Sequence, residues 1–207
     1  MHDDPTTHEA IRTAAAKDQL WRAADLGVPA DAMSRMSREG ALDRILPGVY
    51  LGSQHPHHPL TEAAAWTLKH PQAVTCLLTA ALYHDLTDAF AGGTWLYVPK
   101  GSSPPRSTVA QVHVVQTTPT YIAVEHDDLY DIVTVAVHGV RVRLTGPNRT
   151  TLDLWRYPGR VSAEHALEAL RRRVRAEDFR VPAFARLARR LHVWPKVEPV
   201  MQGLVLR

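Results

Sequence analysis

The stretch Gly27-Val-Pro-Ala-Asp-Ala-Met-Ser-Arg-Met-Ser-Arg-Glu-Gly-Ala-Leu-Asp-Arg-Ile-Leu-Pro-Gly-Val-Tyr50 decides how the chain is read. Proline is tolerated in a helix's first turn, so a helix starts near Pro29. Along it Met33, Met36 and Gly40 fall on one face. Asp31, Ser34, Arg35 and Arg38 fall on the other, at the i, i+3, i+4 and i+7 spacing of an amphipathic helix. Gly40 can close it with a left-handed cap. Residues 42–46 and 49–51 then read as short strands around Pro47-Gly48, a pair suited to a type II turn. A tight turn at Gly27, a helix with an arginine-bearing outer face and a hairpin directly behind it form the pattern of a winged helix-turn-helix. The second helix of that module lies in the DNA major groove. On this basis Ser34, Arg35 and Arg38 face DNA and Arg44 on the wing assists. An ordinary three-helix cap with a hairpin shares the pattern and is the alternative.

Upstream, residues 7–17 read as the first helix and residues 18–26 as the second, stopped by Gly27. Leu20, Trp21 and Ala24 can pack on Ile11 and the methionines. Residues 1–54 therefore make the expected DNA-binding domain. Gly52-Ser-Gln-His-Pro-His-His-Pro59 is a loop, with two prolines and no apolar periodicity. Its histidines, at 55, 57 and 58, have no cysteine or carboxylate beside them to complete a metal site. A solvated hinge is the expectation.

Residues 59–207 form the second expected domain. Residues 61–70 and 73–84 read as helices, the latter almost wholly apolar and so buried. Residues 94–98, 112–115, 121–124, 132–137 and 140–144 are rich in β-formers. His138-Gly139 is a two-residue hairpin turn. Val140, Val142 and Leu144 alternate with Arg141 and Arg143, which leaves one strand face wet. Ser162 is a good N-cap for a helix over 163–175, and apolar periodicity continues through Phe184, Leu187 and Leu191, then Val197, Val200, Met201 and Leu204. The fold class expected is α+β: an N-terminal winged helix, then a mixed-sheet domain closed by helices.

Hydrophobic residues make up 45% of the 207 positions, enough for a sizeable core. No apolar run reaches the roughly 20 residues a bilayer span needs, so no membrane partner is expected. Asp3 and Asp4 open the chain with no basic stretch leading into an apolar one, which argues against a signal peptide and for a cytoplasmic protein. A single cysteine, Cys76, excludes an internal disulfide and thiolate-cluster metal sites. The net charge of +3 is unevenly placed. Residues 1–52 hold six Lys/Arg and eight Asp/Glu, whereas residues 156–207 hold twelve and five. Phosphate neutralisation dominates non-specific DNA affinity, so an N-terminal domain of this charge relies on a few placed arginines. Arg171, Arg172, Arg173, Arg175, Arg186, Arg189 and Arg190 would form an exposed basic surface for a partner; a solvated helix face is the bland alternative.

Enzymatic signatures fail one by one. No lysine has an acidic residue two places before it, as one nuclease class requires: those positions are Ala15, Thr67, Val98 and Trp194. Gly101-Ser102 is not followed by the paired aspartates that hold two metals in nucleotidyltransferases. There is no P-loop and no Gly-x-Ser-x-Gly. Glu125-His-Asp-Asp128 is dense in ligand-capable groups, but adjacent residues on a strand cannot all converge on one ion; a polar loop is expected. His84-Asp85 reads as a capping pair, and Cys76 as a small buried residue. No catalytic residue, metal or cofactor is expected.

Three blocks carry a family likeness: the stretch ending Gly40-Ala-Leu-Asp-Arg-Ile-Leu-Pro-Gly-Val-Tyr50, then Thr79-Ala-Ala-Leu-Tyr-His-Asp-Leu86, then Gly139-Val-Arg-Val-Arg-Leu-Thr-Gly-Pro-Asn-Arg-Thr-Thr-Leu-Asp153. In this order the chain resembles the antitoxins of AbiE-type bacterial abortive-infection systems, a type IV toxin–antitoxin family. The third block is similar to that family's Pro-x-Arg-Thr-x-x-Asp pattern. The second departs from it, with Thr79 for serine and Asp85 where glycine is common. The resemblance implies an N-terminal domain that binds inverted repeats in its own promoter. It also implies a C-terminal domain that counteracts a nucleotidyltransferase-like toxin. Arg149 and Asp153, at i, i+4, read as a local structural ion pair. A stand-alone winged-helix regulator with a ligand- or partner-sensing C-terminal domain is the rival.

Overall fold

Ile11, Ala14 and Ala15 line one side of helix α1 (Pro5–Ala15) and are buried there. The computed structural model describes residues 5–107 and 110–205, and the protein is α+β. It divides into two compact units. The first takes the chain up to Pro71 with residues 105–111 and 135–142; the second takes residues 72–104, 112–134 and the chain from Arg143 on. The break falls at Pro71 and not in the 52–59 loop.

In the first unit α1 is followed by α2 (Ala23–Leu26), α3 (Ala30–Arg38), β1 (Leu42–Leu46), β2 (Val49–Gly52) and α4 (Thr61–Lys69). The expected second helix over 18–26 shrinks to its last turn. Trp21 instead bridges Tyr50 in antiparallel fashion. Its N–H donates to the Tyr50 carbonyl at 2.8 Å, and the Tyr50 N–H donates back at 2.9 Å. Groups paired across to a strand cannot make i→i−4 helical bonds. Helix α3 buries Ala32, Met33 and Met36. Gly40, at φ +80°, ends it: the Ala41 N–H reaches the Met36 carbonyl at 3.0 Å and the Gly40 N–H that of Ser37 at 3.2 Å, a Schellman closure. Gly48, at φ +79°, fits the third position of a type II turn between β1 and β2. The 52–59 loop is tied down: His58 N–H donates to Thr61 Oγ1 at 2.8 Å, and His57 lies 3.2 Å from Asp43.

The second unit holds most of a mixed five-stranded sheet, ordered β5-β4-β3-β7-β6. Its strands are β3 (Val74–Thr75), β4 (Thr94–Pro99), β5 (Val112–Thr117), β6 (Ile132–Val137) and β7 (Val140–Thr145). β3 runs antiparallel to β4 and parallel to β7, and β4 runs parallel to β5. Helices α5 (Leu77–Tyr83), α6 (Asp127–Tyr130), α7 (Pro147–Arg156), α8 (Ala163–Arg175), α9 (Val181–Arg190) and α10 (Trp194–Val205) complete it. Ser162 caps α8 as expected, its side chain accepting from the His165 N–H. Two expectations fail here. Residues 73–84 begin as strand β3, because Val74 and Thr75 pair with Tyr97 and Leu96. Residues 121–124, expected as a strand, fall in two short 3-10 turns, Pro119–Tyr121 and Val124–His126. The Ile122 and Tyr121 carbonyls accept from Arg143 and Arg149 instead of from a neighbouring strand.

The tip of the β6–β7 hairpin, part of the first unit, turns on His138 and Gly139 at φ +45° and +73°, the two positive angles of a type I′ turn. His138 is buried, bonded through Nδ1 to Asp18 and through Nε2 to Thr61 Oγ1. Among the described residues no helix is long and apolar enough to cross a membrane.

Candidate functional site

The four residues expected at DNA all lie on α3 and β1, and their surroundings differ. Arg38 is exposed on the last turn of α3, and Arg44 is exposed on β1. Neither has a hydrogen-bond or ion-pair partner among the described residues. Arg35 is half-buried with its Nη2 3.8 Å from Asp31. Ser34 turns towards the hairpin: its hydroxyl lies 3.0 Å from the Tyr50 hydroxyl and donates to the Ala30 carbonyl at 3.1 Å. Tyr50 is the residue that sequence reasoning missed. It joins α3 to β2 by its side chain and β2 to Trp21 by its backbone. Asp31 engages Arg35, and Asp43 lies 3.2 Å from His57. A signal was available, since an aromatic residue on a short strand behind an amphipathic helix needs a partner for its hydroxyl.

The seven arginines expected to form one basic surface do not share one environment. Arg173 is buried and holds Asn148 and Asp178, at 2.8 and 2.6 Å, so it belongs to the interior. Arg172 is bound by Glu168, Asp85 and Asp88; its charge is already answered. Arg190 is exposed but donates to the Leu129 carbonyl at 2.9 Å. Arg189 lies 4.9 Å over the Trp194 ring. Only Arg171, Arg175 and Arg186, of the seven, are exposed with no partner among the described residues. The notion of a continuous seven-arginine surface is corrected accordingly: Glu168 on α8 with Asp85 and Asp88 consumes Arg172, and Asp178 beyond the end of α8 consumes Arg173.

An open cleft of about 530 Å3 in the second unit is walled by His84, Asp85, Pro147, Arg172, Arg173 and Arg175, among others. His84 donates from Nε2 to the Thr145 carbonyl at 2.8 Å, and burial holds its pKa below the usual imidazole value. It is a neutral structural donor there. Asp85, at φ +54°, serves Arg172 rather than His84. Cys76 is fully buried, and burial raises its thiol pKa well above the ordinary range. Asp127 of the 125–128 cluster is committed to Arg143. Among the described residues no group of three or more His, Cys, Asp or Glu is placed to hold a metal ion.

The pair read at i, i+4 does form: Arg149 Nε donates to Asp153 Oδ2 at 2.7 Å, with neither side chain exposed. Pro147 opens α7, and the Thr150 hydroxyl ties it back to the Thr145 carbonyl at 3.0 Å. The Pro-x-Arg-Thr-x-x-Asp block thus anchors α7 on β7.

No protein-family model matches the sequence, and no curated protein matches it. The fold is similar to that in the crystal structure of RV2827C protein from Mycobacterium tuberculosis, with a TM-score of 0.63 at 13% identity, over 98% of this chain and 78% of that one. At that identity the likeness speaks for the fold.

Proposed function

We propose that the protein is a DNA-binding autorepressor and antitoxin. Its first unit docks on inverted repeats in its own promoter as a winged helix. Its second unit counteracts a co-expressed nucleotidyltransferase-like toxin, directly or indirectly, in the cytoplasm. The observation that carries the DNA reading is the exposure of Arg38 on α3 and of Arg44 on the β1–β2 hairpin. Both are exposed without partners on a short helix and on the hairpin that follows it. The order of helix, bridged Trp21, helix, helix and hairpin supports it, because the Trp21–Tyr50 bridge ties the chain before the second helix to the hairpin. The antitoxin part rests on the sequence resemblance. No catalytic step and no cofactor enter the proposal.

An arginine bidentate to guanine contributes roughly 1–3 kcal/mol of discrimination. Replacing Arg38 and Arg44 together by alanine is expected to weaken promoter binding by about tenfold or more and to leave the fold intact, since neither touches the core. Gel shifts on the protein's own promoter check this, with circular dichroism as the folding control; unchanged affinity sinks the assignment. Arg35→Ala should cost less, because Asp31 already engages that side chain.

The rival, a stand-alone regulator that senses a ligand in its second unit, is favoured by the charged cleft beside Arg175. Co-expression with a nucleotidyltransferase-like gene, should one be encoded beside it, separates the two. Rescue of growth supports the antitoxin, and its absence with promoter binding intact supports the sensor.

A further inference from the structure

Strand β6 (Ile132–Val137) lies at the end of the five-stranded sheet, beside β7. Its sequence is Ile-Val-Thr-Val-Ala-Val, with no charge, proline or glycine. Val133, Thr134 and Ala136 are exposed and Val135 is half-buried. Val124 and Leu129, just upstream, are exposed as well. Edge strands are ordinarily blunted by a lysine, a proline or a covering segment, because their unpaired N–H and C=O groups invite another strand. β6 carries neither residue, and its middle is uncovered.

The turn fixes which backbone groups are bare. His138-Gly139 is a two-residue type I′ turn, so Val137 and Val140 face each other as a hydrogen-bonded pair. Pairs of that kind recur at every second residue. Val133 and Val135 therefore aim their N–H and C=O at β7, while Ile132, Thr134 and Ala136 aim theirs outward. Outside the ladder of the sheet itself, residues 132–137 have no hydrogen-bond partner among the described residues. A row of donors and acceptors with this period matches another extended backbone.

We propose that β6 pairs antiparallel with β6 of a second copy of this chain, about a two-fold axis at Thr134. Centring on Thr134 engages the outward groups of all three residues on each copy. Centring on Val135 would oppose Ile132 to His138, whose carbonyl already accepts from the Leu20 N–H at 3.0 Å. The pairing sets Thr134 against its own counterpart and Val133 against Val135 of the partner subunit. Thr–Thr pairs and packed apolar pairs across strands are favourable, and here no like charges meet. A bare uncharged strand is an aggregation hazard, whereas an isologous contact consumes this edge on both copies and closes at two. The pairing stands apart from the DNA reading; where both hold, a two-fold dimer supplies the symmetry that inverted repeats require.

The test is sedimentation velocity of the full chain from low to high micromolar concentration, where a reversible dimer is expected. Thr134→Lys and Thr134→Glu each set like charges across the axis, and each should weaken the dimer by about tenfold. An equimolar mixture of the two variants should recover it, because the axis then joins opposite charges. Damage to either fold cannot produce that recovery. A monomer at every concentration overturns the proposal and leaves the edge to a strand of some other protein. A dimer indifferent to both substitutions overturns it too, since the copies then meet elsewhere. So does a mixture that stays as weak as its components, since Thr134 then does not face itself. No DNA or toxin enters the measurement, so its failure leaves the DNA reading untouched.

Discussion

Arg35 and Arg38 are three residues apart on one helix and meet different fates. Asp31, one turn back, draws Arg35 in, while Arg38 sits at the exposed end without a partner. Single positions likewise decide the interior chemistry. His84 keeps its Nε2–H on the Thr145 carbonyl, and burial lowers its pKa from 6.5. The unfolded chain therefore takes up this proton first as the pH falls. Stability that is present above about pH 6.5 is lost below it. His70 adds in the same direction, also lowered chiefly by burial. His84→Gln retains a donor for Thr145 and should remove its share of that slope. Denaturant unfolding of both proteins between about pH 7 and 5 checks this; identical slopes would show that His84 carries none of it.

At the scale of elements, close approach fixes what a strand can carry. β2 ends on Gly52, where an added Cβ would lie 2.0 Å from the Ala15 carbonyl oxygen. That atom belongs to the end of α1 and also accepts from Gln54 and lies 3.1 Å from His55 Nε2. Backbone cannot yield as a flexible side chain can, so Gly52→Ala must push α1 and β2 apart. A loss of about 1–3 kcal/mol is expected. Gly159→Ala is the control, since nothing lies within 4 Å of its added Cβ, and it should stay within about 0.5 kcal/mol of wild type. Equilibrium denaturation of the two variants settles the comparison; equal effects would mean that the Ala15 contact is slack.

For the whole molecule, the charge split bears on how the two proposed activities could be separated. Residues 156–207 carry twelve Lys/Arg against five Asp/Glu, but Arg172 and Arg173 are spent on acids. The available basic surface comes down to Arg171, Arg175 and Arg186 among the seven expected. On the proposed antitoxin reading, reversing these three to glutamate should abolish rescue from the toxin and leave promoter affinity nearly unchanged. If promoter binding falls instead, and its salt dependence flattens by roughly 0.9 in log–log slope per lost contact, the surface tracks phosphates. If both activities survive, it is a solvated helix face.

The sequence by itself determined the elements whose cause is local. Ser162 and the periodicity behind it set α8; Pro29, the methionines and Gly40 set α3; His138-Gly139 set the β6–β7 turn. It also put Arg38 and Arg44 on outward positions and paired Arg149 with Asp153, because both follow from spacing along one element. Tertiary structure decided what depends on residues far away in the chain. Trp21 is pulled out of a helical pattern by Tyr50. Val74 and Thr75 become strand because β4 and β7 flank them. Arg172 is neutralised by an aspartate 84 positions away. Arg149 ends fully buried among three tyrosines with one nitrogen unanswered. Spacing fixes which side chains share a face; only the packed chain fixes which distant groups satisfy them, and desolvation then decides which charges remain available.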